Sequence, residues 1–393
     1  MSQDSVVIVS AARTPMGGMM GALSDVRSPD LCAAAIKAAV ERAGISGADI
    51  DEVIMGCVLP AGLGQAPARQ ASRAAGIPDA AGATTINKMC GSGMKAVMLA
   101  HDQIMAGQVD VMIAGGMENM SQSPYLLPKA RAGMRMGHSQ VIDHMFFDGL
   151  EDAYEGGLMG AFAQKSADDF NVTREAMDDF AIGSLNKALA AIESGAFKDE
   201  ITAVTIKSRK GEVVVDTDEQ PGNARIDKIR SLNPAFKKGG TITAANSSSI
   251  SDGGSALVLM KESDAIARGL KPLARIAAHS THAQLPAEFT IAPIGAVEKV
   301  LKKAGWSKGD VDLYEINEAF AVVSMLAISE LGLDADKVNV NGGACALGHP
   351  IGSSGSRILV TLLYALKNAG KSKGVASLCI GGGEATAVAV EML

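Results

Sequence analysis

The sequence is poor in aromatic residues, in positive charge and in long apolar runs, and these absences exclude several classes of protein. Aromatic residues make up 4% of the 393 residues. The net charge is −7 and no basic stripe is present, which argues against a nucleic-acid partner. No apolar run approaches the roughly 20 residues that a membrane-spanning helix needs. The start of the chain also differs from an export signal, so we expect no membrane partner.

Cysteine is scarce too, and its spacing excludes a disulfide framework or a zinc finger. The five cysteines are an odd number and form no CxxC or Cys/His pattern. Free thiols are typical of a reducing compartment, so we expect a cytoplasmic protein. Four histidines also lack metal-ligand spacing, and we expect no metal site; these are His138, His144, His279 and His282.

The residues that are abundant indicate large aliphatic cores with closely packed elements. Hydrophobic residues make up 47% of the chain, and glycine occurs 44 times. A chain of this length typically forms about two or three domains.

An internal repeat is the main architectural feature. Segment 43–51 (AGISGADID) is echoed by segment 304–312 (AGWSKGDVD). A helix-like stretch precedes each copy, at 31–42 and 294–303, and an apolar strand-like stretch follows each. The pattern predicts two copies of one α/β unit.

The echo continues with a glycine-started helix, a strand and a second glycine run. In the first copy the predicted strand 110–114 leads into GGME at 115–118, and in the second the predicted strand 374–380 leads into GGGE at 381–384. We interpret both runs as turns at matching strand ends, an alignment that places Cys379 opposite Ile113.

The region between the copies has a different pattern and is interpreted as an insertion. It contains a charged helix-like stretch at 173–193 and a polar strand-like stretch at 201–215. We predict an N-terminal half from 1–120 and 244–270, an inserted loop domain at 121–243 and a C-terminal half at 271–393. The alternation of strands and helices favours mixed sheets covered by helices.

Segment 87–93 (NKMCGSG) places Cys90 at the start of a predicted helix. A cysteine is often simply a small buried apolar residue. Here, however, the partial positive charge of the helix end favours a thiolate. Gly91 and Gly93 leave the backbone open to close approach by a substrate. We therefore predict that Cys90 is a nucleophile.

Segment 341–355 (NGGACALGHPIGSSG) holds His349 between Gly348 and Pro350. A lone histidine is usually structural, but proline and glycine here favour a stiff, tight loop. An imidazole held in this way is suited to take a proton from a cysteine. No Gly-Lys-Ser/Thr follows the glycines, which argues against a nucleotide phosphate loop.

Two further segments have both a structural and a functional interpretation. Segment 377–383 (SLCIGGG) is either a strand ending in a flexible turn or a second thiol, Cys379, beside glycine N–H groups that bind an oxyanion. Asn317 and Glu318, in NEAF at 317–320, form either a turn or helix cap or a site that holds a catalytic water.

Together these segments resemble the thiolase family. Its motifs NxxCxSG, NEAF, GHPxGxSG and CxGGG all occur here in this order, and the resemblance covers the chain from the first strand to the C-terminus. It implies a thiolase fold, in which two duplicated α/β halves form a five-layer αβαβα core with an inserted loop domain. It also implies a homo-oligomer, either dimer or tetramer.

The resemblance implies a reversible Claisen condensation of two acetyl-CoA molecules to acetoacetyl-CoA and CoA, with no cofactor. Cys90 would carry the acetyl group, and Cys379 would move the α-proton. One oxyanion hole would be formed by His349 with a water on Asn317. The other would consist of the N–H groups of Cys90 and Gly381.

The resemblance also implies how the substrate is held. The inserted domain would cover CoA, with Ser248 touching the pantetheine, and the pocket would include Leu158, Met159, Phe289 and Phe320. Leu158 replaces a frequent family histidine, and Phe289 is similar to a pattern that accepts a 2-methyl branch. A 3-ketoacyl-CoA thiolase for longer chains and a CoA-binding scaffold with little turnover are the alternatives.

Overall fold

The computed structural model describes residues 4–209 and 211–393. Its strands are β1 (Val6–Arg13), β2 (Gly17–Gly18), β3 (Glu52–Gly56), β4 (Gly82–Ile86), β5 (Val111–Asn119), β6 (Tyr125–Leu126), β7 (Ile142–Asp143), β8 (Val204–Ser208), β9 (Gly211–Val215), β10 (Ser251–Lys261), β11 (Ala274–Ala283), β12 (Leu313–Ile316), β13 (Lys373–Ile380) and β14 (Glu384–Met392). Its α-helices are α1 (Ser28–Ala43), α2 (Pro67–Ala74), α3 (Ser92–Met105), α4 (Met159–Asp169), α5 (Arg174–Ser194), α6 (Glu219–Asn223), α7 (Ile226–Ile229), α8 (Glu262–Ala267), α9 (Ala292–Ala304), α10 (Ala321–Leu331), α11 (Ala344–Leu347) and α12 (Ile351–Ala369).

The strand order confirms the duplication. The main sheet runs β12-β13-β14-β11-β1-β10-β5-β3-β4, and its two halves meet where β1 pairs with β11. In the first half β10 lies between β1 and β5 and is antiparallel to both, and β3 is parallel to β5. In the second half β11, β14 and β13 are antiparallel neighbours, and β12 is parallel to β13. The two copies therefore have the same topology.

The echoed sequence segments form the same local structure in both copies. Helices α1 and α9 each end at a left-handed glycine with φ 70°, at Gly44 and Gly305. Each is followed by a capping box, Ser46 with Asp49 and Ser307 with Asp310. The next carboxylate along the chain accepts two backbone N–H groups at the start of the neighbouring strand. In the first copy this residue is Asp51, and both hydrogen bonds are 2.9 Å long. Such side-chain acceptors fix the point at which each strand begins.

Five layers form the body of the molecule. Helices α3 and α12 lie in the middle, between the inner faces of the two half-sheets. Helices α1 and α2 cover the outer face of the first half-sheet. Helices α9 and α10 cover the outer face of the second. This αβαβα arrangement is the predicted fold, built from aliphatic side chains.

One predicted feature of the repeat is wrong. Gly115 and Gly116 lie inside β5, not in a turn. The strand continues through them because both are paired with the neighbouring strands β10 and β3. Glycine is needed at 116 because helix α12 approaches so closely that a Cβ there would lie 2.1 Å from the carbonyl oxygen of Gly352. In the second copy, by contrast, residues 381–383 do form a turn.

The strand register also corrects the predicted partner of Cys379. Glu52 of β3 lies beside Met112, and the equivalent residue Leu313 of β12 lies beside Gly374. Counting along the two strands from this pair, Cys379 corresponds to Met117 and not to Ile113. The glycine runs misled the alignment because they serve different purposes in the two copies.

The segment between β5 and β10 contains two long helices and two small hairpins. The helix predicted at 173–193 is present as α5, and Thr173 caps it by accepting the N–H of Ala176 at 3.2 Å. The polar stretch 201–215 forms the hairpin β8–β9, apart from residue 210, which lies outside the described residues. None of the helices in the described part of the chain has the length and apolarity that crossing a bilayer requires.

We predict that Gly116→Ala destabilises the protein by about 1–3 kcal/mol or more, because the added methyl group overpacks the contact between β5 and α12. Gly183→Ala is the matched control. Gly183 lies in helix α5, and nothing stands within 4 Å of an added Cβ. Alanine there should stabilise the helix by roughly 0.5–1 kcal/mol. Urea unfolding of both variants measures the difference, and equal stability would contradict the packing argument.

Candidate active site

A single cavity of about 390 Å³ collects most of the predicted site residues. Its walls come from both halves and from the inserted segment. The predicted residues that line it are Cys90, Leu158, Met159, Ser248, Phe289, Phe320, His349, Cys379 and Gly381. Asn317 is not among the lining residues but is a neighbour of His349, which is. Residues far apart in the chain thus meet at one place.

The loop that presents Cys90 is held by its own neighbours. Met89 adopts a left-handed conformation with φ 47°. The Ser92 hydroxyl accepts the Lys88 N–H at 2.8 Å and donates to the carbonyl of Met89 at 2.6 Å. Gly91 packs closely against Ile380, whose side-chain Cδ1 would lie 2.3 Å from a Cβ at this position. The half-buried cysteine therefore stands on a rigid corner just before helix α3.

The expectation of a resting thiolate on Cys90 is wrong. Burial raises the pKa of the Cys90 thiol to about 11, although the N–H groups of Gly381 and of Cys90 itself lower it. Loss of hydration therefore outweighs the favourable dipoles at the helix end. At neutral pH the Cys90 thiol is therefore uncharged, and a base has to remove its proton before the sulfur can react as a thiolate.

His349 has its two ring nitrogens in different environments. Nδ1 lies 2.5 Å from the hydroxyl of Ser354, and this hydroxyl donates to the carbonyl of Pro350. Ser354 must then accept a proton from Nδ1, which leaves the lone pair on Nε2. Nε2 is buried and has no protein partner. The free lone pair therefore belongs to the nitrogen that can act as a base.

The same burial keeps His349 uncharged. It lowers the pKa of the imidazole to about 3, with a smaller contribution from the charge of Arg357. Cys90 and His349 are consequently a neutral pair at rest. Neither group is ionised until a substrate changes the surroundings.

Asn317 and Glu318 have different surroundings. The Asn317 Oδ1 atom is buried without a partner, and its Nδ2 lies 3.5 Å from His349 Nδ1. An unpaired buried oxygen next to the imidazole is suited to hold a water. Glu318 instead accepts the Ser184 hydroxyl at 2.7 Å and the Cys345 N–H at 3.1 Å. It therefore ties helix α5 of the inserted segment to the C-terminal half.

Cys379 and Gly381 lie on the opposite wall, at the end of β13. Cys379 is buried, and this raises the pKa of its thiol well above the usual value, with a further contribution from Cys90. The N–H of Gly381 lies close enough to the Cys90 sulfur to lower the pKa of its thiol, as does the N–H of Cys90 itself. Both backbone N–H groups are therefore near this sulfur.

The rest of the cavity is apolar, and the inserted segment supplies much of it. The Phe320 ring packs edge-on against Phe289 and Phe236, with ring centroids 6.4 and 6.2 Å apart. Phe236, Leu150 and Ile250 were not predicted from the sequence. They lie in segments without a motif, so only the packing of the inserted segment identifies them.

Glu118 is a further residue whose role the sequence did not reveal. This buried carboxylate accepts the N–H groups of Val58 at 2.9 Å, Leu59 at 3.1 Å and Gly352 at 2.9 Å. Burial raises its pKa to about 7, against the lowering effect of these three donors. It anchors the start of helix α12, which directly follows His349 and Pro350.

Comparison with known proteins identifies the class and then the family. The duplicated five-layer fold is that of thiolase-type α/β enzymes. Residues 6–263 match the family model described as thiolase, N-terminal domain, and residues 270–392 match thiolase, C-terminal domain. The chain belongs to the thiolase family.

Relatives named acetyl-CoA acetyltransferase are similar over their full length. The protein of Escherichia coli K12 is 51% identical over 98% of this chain and 99% of its own. That of Cupriavidus necator is 50% identical with the same coverage. The crystal structure of the Bacillus anthracis acetyl-CoA acetyltransferase is 44% identical, with a TM-score of 0.97 over 100% of this chain and 99% of that one.

We predict that iodoacetamide labels Cys90 faster than the buried Cys32 and Cys57. Because only the thiolate reacts, the rate at Cys90 should rise about tenfold per pH unit through neutral pH, without a plateau below the pKa of about 11. Mass spectrometry of tryptic peptides measures the rate at each site. A plateau near neutral pH would instead indicate a resting thiolate and would contradict the neutral pair.

Proposed function

We propose that the protein is an acetyl-CoA C-acetyltransferase that joins two acetyl-CoA molecules reversibly into acetoacetyl-CoA and CoA. The observation that carries this proposal is the meeting of Cys90, His349 and Cys379 in one largely apolar cavity. The names of the full-length relatives support the choice of acetyl-CoA as substrate.

In the first step Cys90 takes the acetyl group. Its sulfur attacks the thioester carbonyl while its proton moves to His349 Nε2. The C–S bond to CoA breaks, and Cys379 gives its proton to the leaving CoA sulfur. As the proton moves, negative charge develops on the Cys90 sulfur and positive charge on the His349 ring. The attraction between these charges offsets the loss of hydration that keeps both groups neutral at rest. In the second step, a water held by Asn317 and the protonated ring of His349 stabilise the negative charge that develops on the thioester oxygen of the second acetyl-CoA.

In the second step Cys379, now a thiolate, removes the α-proton of that second acetyl-CoA. The enolate carbon attacks the acetyl carbon on Cys90, and the N–H groups of Cys90 and Gly381 stabilise the oxyanion. The C–S bond to Cys90 breaks, and His349 returns its proton to that sulfur. All three side chains regain their starting state. No group is oxidised or reduced, and the three side chains supply and recover every proton that moves. We therefore propose that the reaction requires no cofactor.

The inserted segment is proposed to cover CoA, with Ser248 beside the pantetheine. Ser248 lines the cavity, and its N–H donates to the carbonyl of Ala319 at 2.9 Å. This bond fixes the serine next to the NEAF segment. Met159 lines the same cavity, so we propose that the acyl-pantetheine chain contacts both residues.

We further propose a cytoplasmic homo-oligomer, either dimer or tetramer. The five cysteines form no disulfide, which supports a reducing compartment. The sheet ends at β4, whose outer edge has no strand partner among residues 4–209 and 211–393. Exposed edge strands favour pairing with another chain. Gel filtration with light scattering measures the assembly.

We predict that Cys379→Ala separates the two steps. Loss of the base should slow condensation by about 10²–10⁴-fold. Acetyl transfer to Cys90 should change by less than about tenfold, because the only role of Cys379 in that step is to protonate a leaving CoA thiolate, which can depart without an acid. Quenched-flow mass spectrometry measures the acetyl group on Cys90 and a coupled assay measures acetoacetyl-CoA. Equal losses in both would contradict the assigned roles, and acetylation that persists in Cys90→Ser would contradict the nucleophile.

A 3-ketoacyl-CoA thiolase for longer chains is the second candidate. Leu158 stands where the family often has a histidine, and together with Leu150 and Phe289 it makes the cavity lining apolar. We predict that cleavage of acetoacetyl-CoA exceeds that of longer 3-ketoacyl-CoA substrates. Steady-state kcat/KM across chain lengths, with and without a 2-methyl branch, decides between the two. A maximum at a longer chain would favour the second candidate.

A further inference from the structure

Two histidines and an aspartate meet on the surface of the second half-sheet, outside the proposed active site. His101 and Asp102 lie in the last turns of helix α3, and His279 lies on strand β11. His101 Nδ1 is 3.0 Å from Asp102 Oδ1, and His279 Nε2 is 2.9 Å from the same oxygen and 3.2 Å from His101 Nδ1. One ligand atom from each residue thus forms a compact triangle.

With Asp102 ionised, hydrogen bonds cannot join all three atoms of this triangle. If both imidazoles donate to the Asp102 oxygen, their two nitrogens lie 3.2 Å apart without a hydrogen bond between them. If one imidazole donates to the other, the lone pair of the acceptor nitrogen faces the carboxylate oxygen. A cation that touches all three atoms would use each of them as an electron-pair donor.

The donor set fits a first-row divalent metal ion. Imidazole nitrogen and carboxylate oxygen are ligands of Zn²⁺, which holds them at about 2.0–2.2 Å and therefore about 3.3–3.6 Å apart in a tetrahedron. The observed distances between the three ligand atoms are shorter than this by a few tenths of an ångström, and small rotations of the side chains would remove the difference. The side chains of His101 and His279 are 20% and 15% exposed and that of Asp102 is 54% exposed. A metal ion can therefore reach the site, and a water can complete its coordination.

We propose that His101, Asp102 and His279 form a binding site for a divalent transition-metal ion of the zinc type. The site lies at the far end of helix α3 from Cys90, about 16 Å away at 1.5 Å per residue. It joins that helix to a strand of the C-terminal half. A bound ion would therefore hold together the two halves that build the active site, without taking part in the reaction.

The test uses the full-length protein after treatment with a chelator. Zn²⁺ titration by calorimetry should show one site that is lost, or weakened more than about tenfold, in His279→Ala and in His101→Ala. Zn²⁺ should also raise the melting temperature of the wild type but not of either variant, because an ion that binds only the folded state stabilises it. His138→Ala, at an exposed histidine elsewhere, should bind like the wild type.

Co²⁺ distinguishes this site from cysteine ligands. Binding at the proposed site should give a visible d–d spectrum without the thiolate charge-transfer band, and prior alkylation of Cys90 should leave it unchanged. Equal Zn²⁺ affinity and equal thermal shifts in the wild type and the two histidine variants would overturn the proposal. So would a Co²⁺ spectrum dominated by thiolate. These experiments measure metal binding and stability and not acetyl transfer. A negative result would therefore overturn the metal site without contradicting the proposed reaction.

Discussion

The close contact between helices α3 and α12 is the constraint on which the active site depends. A Cβ at Gly355 would lie 2.5 Å from the backbone nitrogen of Met94, and one at Gly93 would lie 2.8 Å from that of Ser356. Only glycine permits this approach. Helix α3 carries Cys90 at its start, and α12 follows His349 directly. The glycines of two separate motifs therefore bring Cys90 and His349, the proposed nucleophile and base, into one cavity.

The electrostatics of the cavity follow from the same close packing. Loss of water raises the pKa of the Cys90 thiol and lowers that of His349, so both are neutral at rest. Converging N–H groups reduce this effect at the sulfur without cancelling it. The site is thus arranged to stabilise charge that develops during a reaction, which is more useful than charge already present in the empty enzyme.

Duplication explains both the symmetry of the scaffold and the asymmetry of the site. The capping boxes and strand-start carboxylates are the same in both copies because they fix local backbone geometry. At the strand ends the copies differ. In the first, Gly116 lets α12 pack against β5, and in the second, a glycine turn directs the Gly381 N–H to the sulfur. Met117 and Cys379 occupy equivalent positions, and only the second copy has a thiol there.

The repeat and many helices and strands could be predicted from the order of residues. The five-layer fold followed from the family resemblance, and motifs marked residues such as Cys90, His349 and Cys379. These signals are local or recur at fixed spacing, so they can be recognised along the chain. Tertiary structure alone decided the protonation of the Cys90–His349 pair, the anchoring role of Glu118, the apolar wall with Phe236, and the meeting of His101 with His279. Burial and contacts between distant residues set these properties, and neither follows from the order of residues along the chain.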